Sequence, residues 1–321
     1  MMPPWPGWTK LLVELAALIL DAVLGWPVRL HARIGHPVGA FARIITGCER
    51  RLNRPHLTAI RRRIGGIVTL LLLLATAIAA GWGVEFFIRH LLGSWAWAGI
   101  ALAAWPALAQ RSLYDHVLPV VQALEAGNLF AARRAVSQIV GRDTATLDEA
   151  GVARAAIESL AESFCDGVVA PLFWLLIGGL PGIWAYKAVN TADSLIGHRE
   201  EPFAAFGWAA ARFDDLLNLI PARLSGFLIC VAGLGGWRIL WRDHGRHASP
   251  NAGWPEAAMA GALGIRLAGP IAYEGHYHAK PWIGGEGGEA TPAVARAALA
   301  LYVLACALLW LATALIVGVS R

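Results

Sequence analysis

Two stretches of this chain are too long and too apolar to be buried elements of a water-soluble fold. Ile64 to Ala80 contains five consecutive leucines, Leu70 to Leu74, and runs on through Gly81 to Ile88; Ala293 to Val319 is the other. About 20 mainly apolar residues carry a helix across the roughly 30 Å hydrocarbon core of a bilayer, and both stretches exceed that. Of the 321 residues 57% are hydrophobic and 15% charged, against about 45–50% and about 25% in soluble domains. That balance excludes a soluble single-domain enzyme and a disordered chain. Cys48, Cys165, Cys230 and Cys306 are scattered, with no C-x-x-C pair, and read as small buried hydrophobes rather than a disulfide scaffold or zinc site. The expected fold is all-α: a polytopic integral membrane helical bundle with a broken or re-entrant helix and cytoplasmic helical segments.

A formal charge of +5 could serve nucleic acid, but the cations are nearly all arginines beside apolar runs, which fits membrane topology better. Arg29, Arg33, Arg43, Arg50, Arg51, Arg54, Arg61, Arg62 and Arg63 face almost no acid. This places their stretch in the cytoplasm and the N-terminus outside, with no nucleic-acid partner. Membrane segments are expected at 11–28, 64–88, 94–109, 168–186, 224–240 and 293–319 of a single domain covering 1–321, in the cell (inner) membrane. Glu14 and Asp21 in the first segment are seven apart and share a helical face; acids at that depth face protein or water, not lipid. Glu85, Arg89 and His90 are expected in the loop after the second segment. Segment 168–186 is interrupted by Gly178-Gly179-Leu180-Pro181-Gly182, which should end one short helix and start another. A re-entrant hairpin and a kinked crossing both satisfy it.

Glu158, Glu162 and Asp166 recur at i, i+4 and i+8, so on a helix their carboxylates form one stripe ending where the apolar segment at Val168 begins. Three like charges in a row need a cation. A hydrated Mg²⁺, held by one or two carboxylates together with substrate phosphates, suits such ligands; a solvated face paired with Arg154 is the plainer alternative. Asn190 and Asp193 are three apart in Asn190-Thr191-Ala192-Asp193-Ser194, followed by Gly197-His198-Arg199. Arg199 could fork onto a phosphate, and Asp193 could ligate a metal or act as base for an amine. His198 is of a type more often structural than ligating. In the run Arg212 to Asn218 the adjacent acids Asp214 and Asp215 point about 100° apart on a helix, so one of them enters a site. A salt bridge from Arg212 or Arg223 is the alternative there. Ser249 to Glu256, with Asn251, starts as a turn and leads into the small-residue helix Ala257 to Ile265, where helices or a large planar ligand can pack closely. No G-x-x-x-x-G-K-[ST], G-x-S-x-G or H-E-x-x-H occurs, so neither a P-loop nor hydrolase or zincin chemistry is indicated.

Val140-Gly141-Arg142-Asp143-Thr144, Ala156 to Glu162, Asp166 to Phe173, Asn190 to Ser194, Ser249 to Gly261, Leu263 to Leu267 and Lys280-Pro281 occur in an order that strongly resembles the adenosylcobinamide-phosphate synthase family, the CobD/CbiB membrane proteins of cobalamin biosynthesis. Ser163, Leu195 and Ala268 depart from the family pattern without removing an ionisable group. The resemblance implies joining the free propionate of adenosylcobyric acid through an amide to aminopropanol or its phosphate, with ATP and Mg²⁺, and other cobalamin-assembly membrane enzymes as partners. On that reading Glu158, Glu162, Asp193 and Asp214 are the catalytic candidates. Glu158, Glu162, Asp166, Asp193 and Asp215 are candidate Mg²⁺ ligands. Arg142, Asp143, Asn190, His198, Arg199, Arg212, Asn218, Asn251, Glu256 and Arg266 are candidates for binding substrate. Because ATP is cytoplasmic, the clusters at Glu158 to Asp166 and Asn190 to Asp215 should share one side, which favours the hairpin. A transporter or a non-catalytic sensor sharing the fold is the rival reading.

Overall fold

A computed structural model describes residues 7–319 apart from 142, 274, 275 and 279. Arg142 therefore lies outside the described residues. The chain passes through α1 (Gly7–Leu24), α2 (Val28–Ile34), α3 (Val38–Leu52), α4 (Ala59–Leu92), α5 (Ala96–Ala104), α6 (Gln110–Glu125), α7 (Leu129–Val136) and α8 (Glu149–Phe164). A π-helical turn, Cys165–Val169, joins α8 to α9 (Ala170–Ile196). Then come α10 (Phe203–Phe206), α11 (Trp208–Leu217), α12 (Leu219–Ala232), α13 (Trp237–Asp243) and α14 (Gly253–Leu263). Among the described residues four short strands follow: β1 (Leu267–Ala268), β2 (Ile271–Tyr273), β3 (His276–His278) and β4 (Trp282–Ile283). They form two antiparallel pairs, β1 with β4 and β2 with β3, and α15 (Pro292–Val319) ends the chain. The protein is thus all-α in class.

Local chemistry sets the helix limits. Thr58 Oγ1 accepts from the Arg61 N–H at 3.4 Å to start α4, and Asp148 Oδ1 accepts from the Gly151 N–H at 2.7 Å to start α8. Each cap satisfies a donor that the first helical turn leaves unpaired. Gly264, at φ 65°, closes α14 in the left-handed conformation that glycine tolerates best. Among the described residues three helical stretches are long and apolar enough to cross a membrane, in Ala59–Glu125, Glu149–Ile196 and Pro292–Ile316. A fourth is added if α11 and α12, bent by 50°, form one span.

Glu85, Arg89 and His90 do not form the expected loop: α4 continues through them to Leu92. The Arg89 guanidinium meets the Glu85 carboxylate at 2.5 Å, one turn away, and a cation in the last turn suits the carbonyl end of the helix. The apolar stretch is thereby extended by a polar turn that pairs with itself.

The chain groups into two compact units, one from Met1–Ala109, Ala170–Asn218 and Thr313–Arg321, the other from Gln110–Val169 and Leu219–Ala312. In the first, α4 and α9 pack antiparallel. Gly81 faces Pro181, Leu73 and Ala77 share a core cluster with Ala188 and Ala192, and Gly66 lies against Phe206. Within lipid there is no water to expel between helices, so close van der Waals contact between small residues holds them. A Cβ on Gly66 would fall 1.8 Å from the Phe206 carbonyl oxygen, and one on Gly81 2.7 Å from the Pro181 Cα. Glu14 and Asp21 on α1 are buried, at 3% and 2% exposure, so neither acid is left facing lipid. Within α9 the backbone leaves helical geometry at Gly179 (φ 60°, ψ −150°).

The second unit is built around α14, where every residue from Asn251 to Ala260 is buried. A Cβ on Gly253 would meet the His244 carbonyl oxygen at 2.0 Å, and one on Gly261 the Gly236 Cα at 2.7 Å. The small residues therefore serve helix-to-helix packing within the unit.

Candidate active site

In the first unit a buried polar chain runs between α9 and α11. The Tyr186 hydroxyl donates to Asn218 Oδ1 at 3.0 Å, and Asn218 Nδ2 donates to Asp214 Oδ2 at 2.9 Å. From the other side Lys187 Nζ donates to Asn190 Oδ1, and Asn190 Nδ2 to Asp214 Oδ1, both at 3.4 Å. Both oxygens of the Asp214 carboxylate, 8% exposed, are therefore held by side-chain amides, as a buried charge requires. Asp214 and Asn218, one turn apart on one face of α11, enter together. Asp215 points away, half-buried, with the Arg212 guanidinium 3.5 Å off.

Asp193 follows Asn190 by three residues and lies close enough to Asp215 for the two carboxylates to repel. The charges of Arg212 and Arg199 bear on Asp215. Gly197 makes room for this arrangement: its N–H bonds the Asp193 carbonyl at 2.7 Å, and a Cβ there would fall 2.0 Å from Asp193 Oδ1. His198 and Arg199 are exposed, and the His198 ring lies 5.9 Å from that of Phe203. Asn190, Asp193, Asp214, Asp215 and Asn218 thus come together, with Arg199 and Arg212 at the edge.

The other candidates belong to the second unit. Glu158 Oε1 accepts from the Ala268 N–H at 2.7 Å and lies 3.9 Å from Arg154. Glu162 is exposed, and Asp166 falls in the π-helical turn. Two guanidinium groups lie over the indole of Trp282, Arg154 at 5.1 Å and Arg266 at 4.5 Å from the ring centre, and Arg266 pairs with Glu289. Asn251 Oδ1 accepts from Arg223 at 3.2 Å, the Arg223 guanidinium lies over Trp254 at 4.7 Å, and His244 stacks on that indole at 4.0 Å. Glu256 is buried with His247 3.8 Å away. Asp143 stays in an exposed turn, where it accepts from the Ala145 N–H at 2.9 Å.

Asp243 anchors this unit. Burial by itself would raise its pKa, but hydrogen bonds from Arg242 and the Gly284 N–H, together with the charge of Arg246, hold it below the ordinary carboxylate value. The Arg242 guanidinium is correspondingly raised by its bond to that carboxylate. His244 is lowered by burial and then by Arg223.

Tyr186, Lys187, Trp282 and His247 were missed by sequence reasoning, and Arg154 was read only as a partner of the Glu158 stripe. Lys187 stood three residues from Asn190, an i, i+3 relation that offered a signal; the contact of Arg154 with Trp282 spans far too much sequence to offer one. Among the described residues no three His, Cys, Asp or Glu side chains form a metal-binding group. The all-oxygen donors Asp193 and Asp215 instead fit a cation of the Mg²⁺ type, which takes one or two carboxylates and completes its shell with water and phosphate oxygens.

Fold and site define a polytopic all-α membrane protein with a buried carboxylate and amide cluster flanked by arginines. The family model described as CobD/Cbib protein matches residues 14–302. The cobalamin biosynthesis protein CobD of Rhodobacter capsulatus is 47% identical over 294 residues, 90% of this chain and 91% of that protein. Its namesake in Rhizobium meliloti is 46% identical over 317 residues, 95% and 96% of the two chains, and that of Geobacter metallireducens 46% over 282 residues, 85% and 86%. No solved structure matches. The chain belongs to the CobD/CbiB family of cobalamin biosynthesis proteins.

Proposed function

We propose that this protein joins the free propionate of adenosylcobyric acid to the amine of aminopropanol or aminopropanol phosphate, giving adenosylcobinamide or its phosphate, with Mg-ATP as activator. One observation carries the reading in this family context: amides fix both oxygens of buried Asp214 beside Asn190 and Asp193, with arginines at the rim. A carboxylate does not condense with an amine unaided. The propionate oxygen takes the γ-phosphoryl group of ATP and releases ADP. The amine nitrogen then attacks the carbonyl carbon, the carbon–oxygen bond to phosphate breaks, and inorganic phosphate leaves. Asp193 accepts the proton that the amine must lose, while Arg199 and Arg212 hold phosphoryl oxygens. Asp214 and Asn218 fix the orientation of Asn190. Asp193 and Asp215 in the first unit would hold Mg²⁺, and Glu158, Glu162 and Asp166 in the second would each offer a single carboxylate to a further such ion; when bound, the ion would supply neutralisation of phosphate charge.

Purified protein given adenosylcobyric acid, aminopropanol phosphate and Mg-ATP should yield the amide, detected by mass, together with ADP and phosphate. Asp193→Asn and Glu162→Gln should each lower turnover at least about 100-fold while helicity and membrane insertion stay as in the parent. Uptake of corrinoid without amide formation would replace this reading with transport, and near-normal rates in either variant would remove that residue from its role.

A further inference from the structure

A cavity of about 900 Å³ opens inside the first unit, away from the site just described. Its walls come from α1, the last turns of α4, α5 and the broken stretch of α9. Thirteen residues of helix separate Leu180 at the cavity from Asp193, about 20 Å at 1.5 Å per residue. The lining combines two chemistries. Val13, Ile100, Leu175 and Leu176 give an aliphatic wall, whereas Glu14, Glu85 and Arg89 supply two carboxylates and one guanidinium. The polar groups are built in. One oxygen of Glu85 takes Arg89 Nε at 3.0 Å, and the other takes the Leu180 N–H at 3.4 Å. A Cβ on Gly179 would sit 3.0 Å from that second oxygen, so the chain breaks where Glu85 is seated. Trp82, Phe86 and Ile177 at the rim are more than half exposed.

Depth selects the occupant. Arg62 and Arg89 lie on one continuous helix, α4, about 40 Å apart at 1.5 Å per residue. A bilayer measures about 40–45 Å between its headgroup regions. When the Arg61 to Arg63 end stands at one headgroup layer, Arg89 stands at the other, beside a tryptophan such as membrane interfaces favour. A ligand there meets a guanidinium suited to phosphate, carboxylates suited to an ammonium group, and an aliphatic wall suited to an acyl chain.

We infer that this cavity binds a phospholipid whose headgroup carries a primary amine: the phosphodiester at Arg89, the ammonium between Glu85 and Glu14, and one acyl chain along Leu175 and Leu176. The shared chemistry, a phosphate ester with an ammonium group, also occurs in soluble phosphoalkylamines, and the test separates the two sources. Delipidated full-length protein in detergent is titrated with phosphatidylethanolamine, phosphatidylglycerol or soluble phosphoethanolamine, and adducts are counted by native mass spectrometry. One phosphatidylethanolamine should bind at least tenfold more tightly than phosphatidylglycerol, and phosphoethanolamine should not displace it at equal concentration. Arg89→Gln should weaken the adduct at least fivefold. Gly83→Leu adds bulk to the lining at a position where a Cβ meets nothing within 4 Å, so it should weaken the adduct at least fivefold while the melting temperature holds. Equal binding of the two lipids, an adduct left unweakened by both Arg89→Gln and Gly83→Leu, or displacement by phosphoethanolamine would each overturn the inference.

Discussion

His36 is held neutral by its surroundings. Burial is the main cause, and the nearby cations Lys187 and His31 add to it, so its pKa lies below the ordinary 6.5. The neutral ring has a task, because Nδ1 accepts from the Val38 N–H at 3.2 Å at the start of α3. For a group whose folded pKa is depressed, stability is fully present above the unfolded value and is lost as pH falls through the folded one. The melting temperature should therefore drop as pH is lowered below about 6.5, as that hydrogen bond, worth about 1 kcal/mol, is lost. His36→Asn keeps an acceptor that does not titrate and should flatten the profile over that range; an unchanged profile would show that other groups carry it. Lys187, which disfavours the His36 proton, also bonds Asn190, so this titration lies one residue from the candidate site. The sequence indicated that Asp214 and Asp215 diverge by about 100° and that one of them enters a site; in the structure Asp214 joins the amide chain while Asp215 faces Asp193 and the arginines, so both border it. It did not indicate which of the two would join the amides. That depended on Tyr186 and Asn218 reaching across from two helices, a pairing that no local spacing encodes.

At the scale of elements, close approach is set by glycines on α4. Gly66→Ala places a methyl group 1.8 Å from the Phe206 carbonyl oxygen, and backbone cannot rotate aside as a side chain does. Overpacking of this kind costs about 1–3 kcal/mol, so thermal unfolding of the purified variant should begin several degrees early. Gly83→Ala is the matched control. The same helix gains a methyl where nothing lies within 4 Å, and replacing a helical glycine should stabilise by roughly 0.5–1 kcal/mol. Equal behaviour of the two variants would mean that the approach of α4 to Phe206 is not under packing constraint. The apolar run announced α4 but not its last turn, because Glu85 and Arg89 each argue against membrane depth until they are seen to pair. The interruption around Gly178 to Gly182 was legible: one helix ends and another starts across the break at Gly179, and Pro181 falls in the first turn of the second, where a proline is tolerated. Nothing in the residues around Asp166 announced a π-helical turn; such a turn follows from the fit of neighbours, and it changes the angle at which Asp166 leaves the helix stripe.

For the whole molecule, the order of motifs disclosed the family, whereas the side of the membrane each motif occupies depends on how many times the chain crosses. The first unit supplies a test through one pair of positions. α4 is 34 residues long, about 51 Å at 1.5 Å per residue, with Ser94 just past its end. α9 packs against it in the opposite sense, bringing Ser194 back toward the arginine-rich start. Both serines are exposed. If the proposed Mg-ATP ligation takes place beside Asp193, which Ser194 adjoins, then Ser194 faces the cytoplasm, where ATP is supplied. With Cys48, Cys165, Cys230 and Cys306 replaced by alanine, Ser194→Cys in intact cells should resist a membrane-impermeant maleimide and react only once the membrane is opened, whereas Ser94→Cys should react at once. The reverse pattern would place Asp193 where no ATP reaches it, and labelling of both positions from one side would mean that α4 does not cross the bilayer.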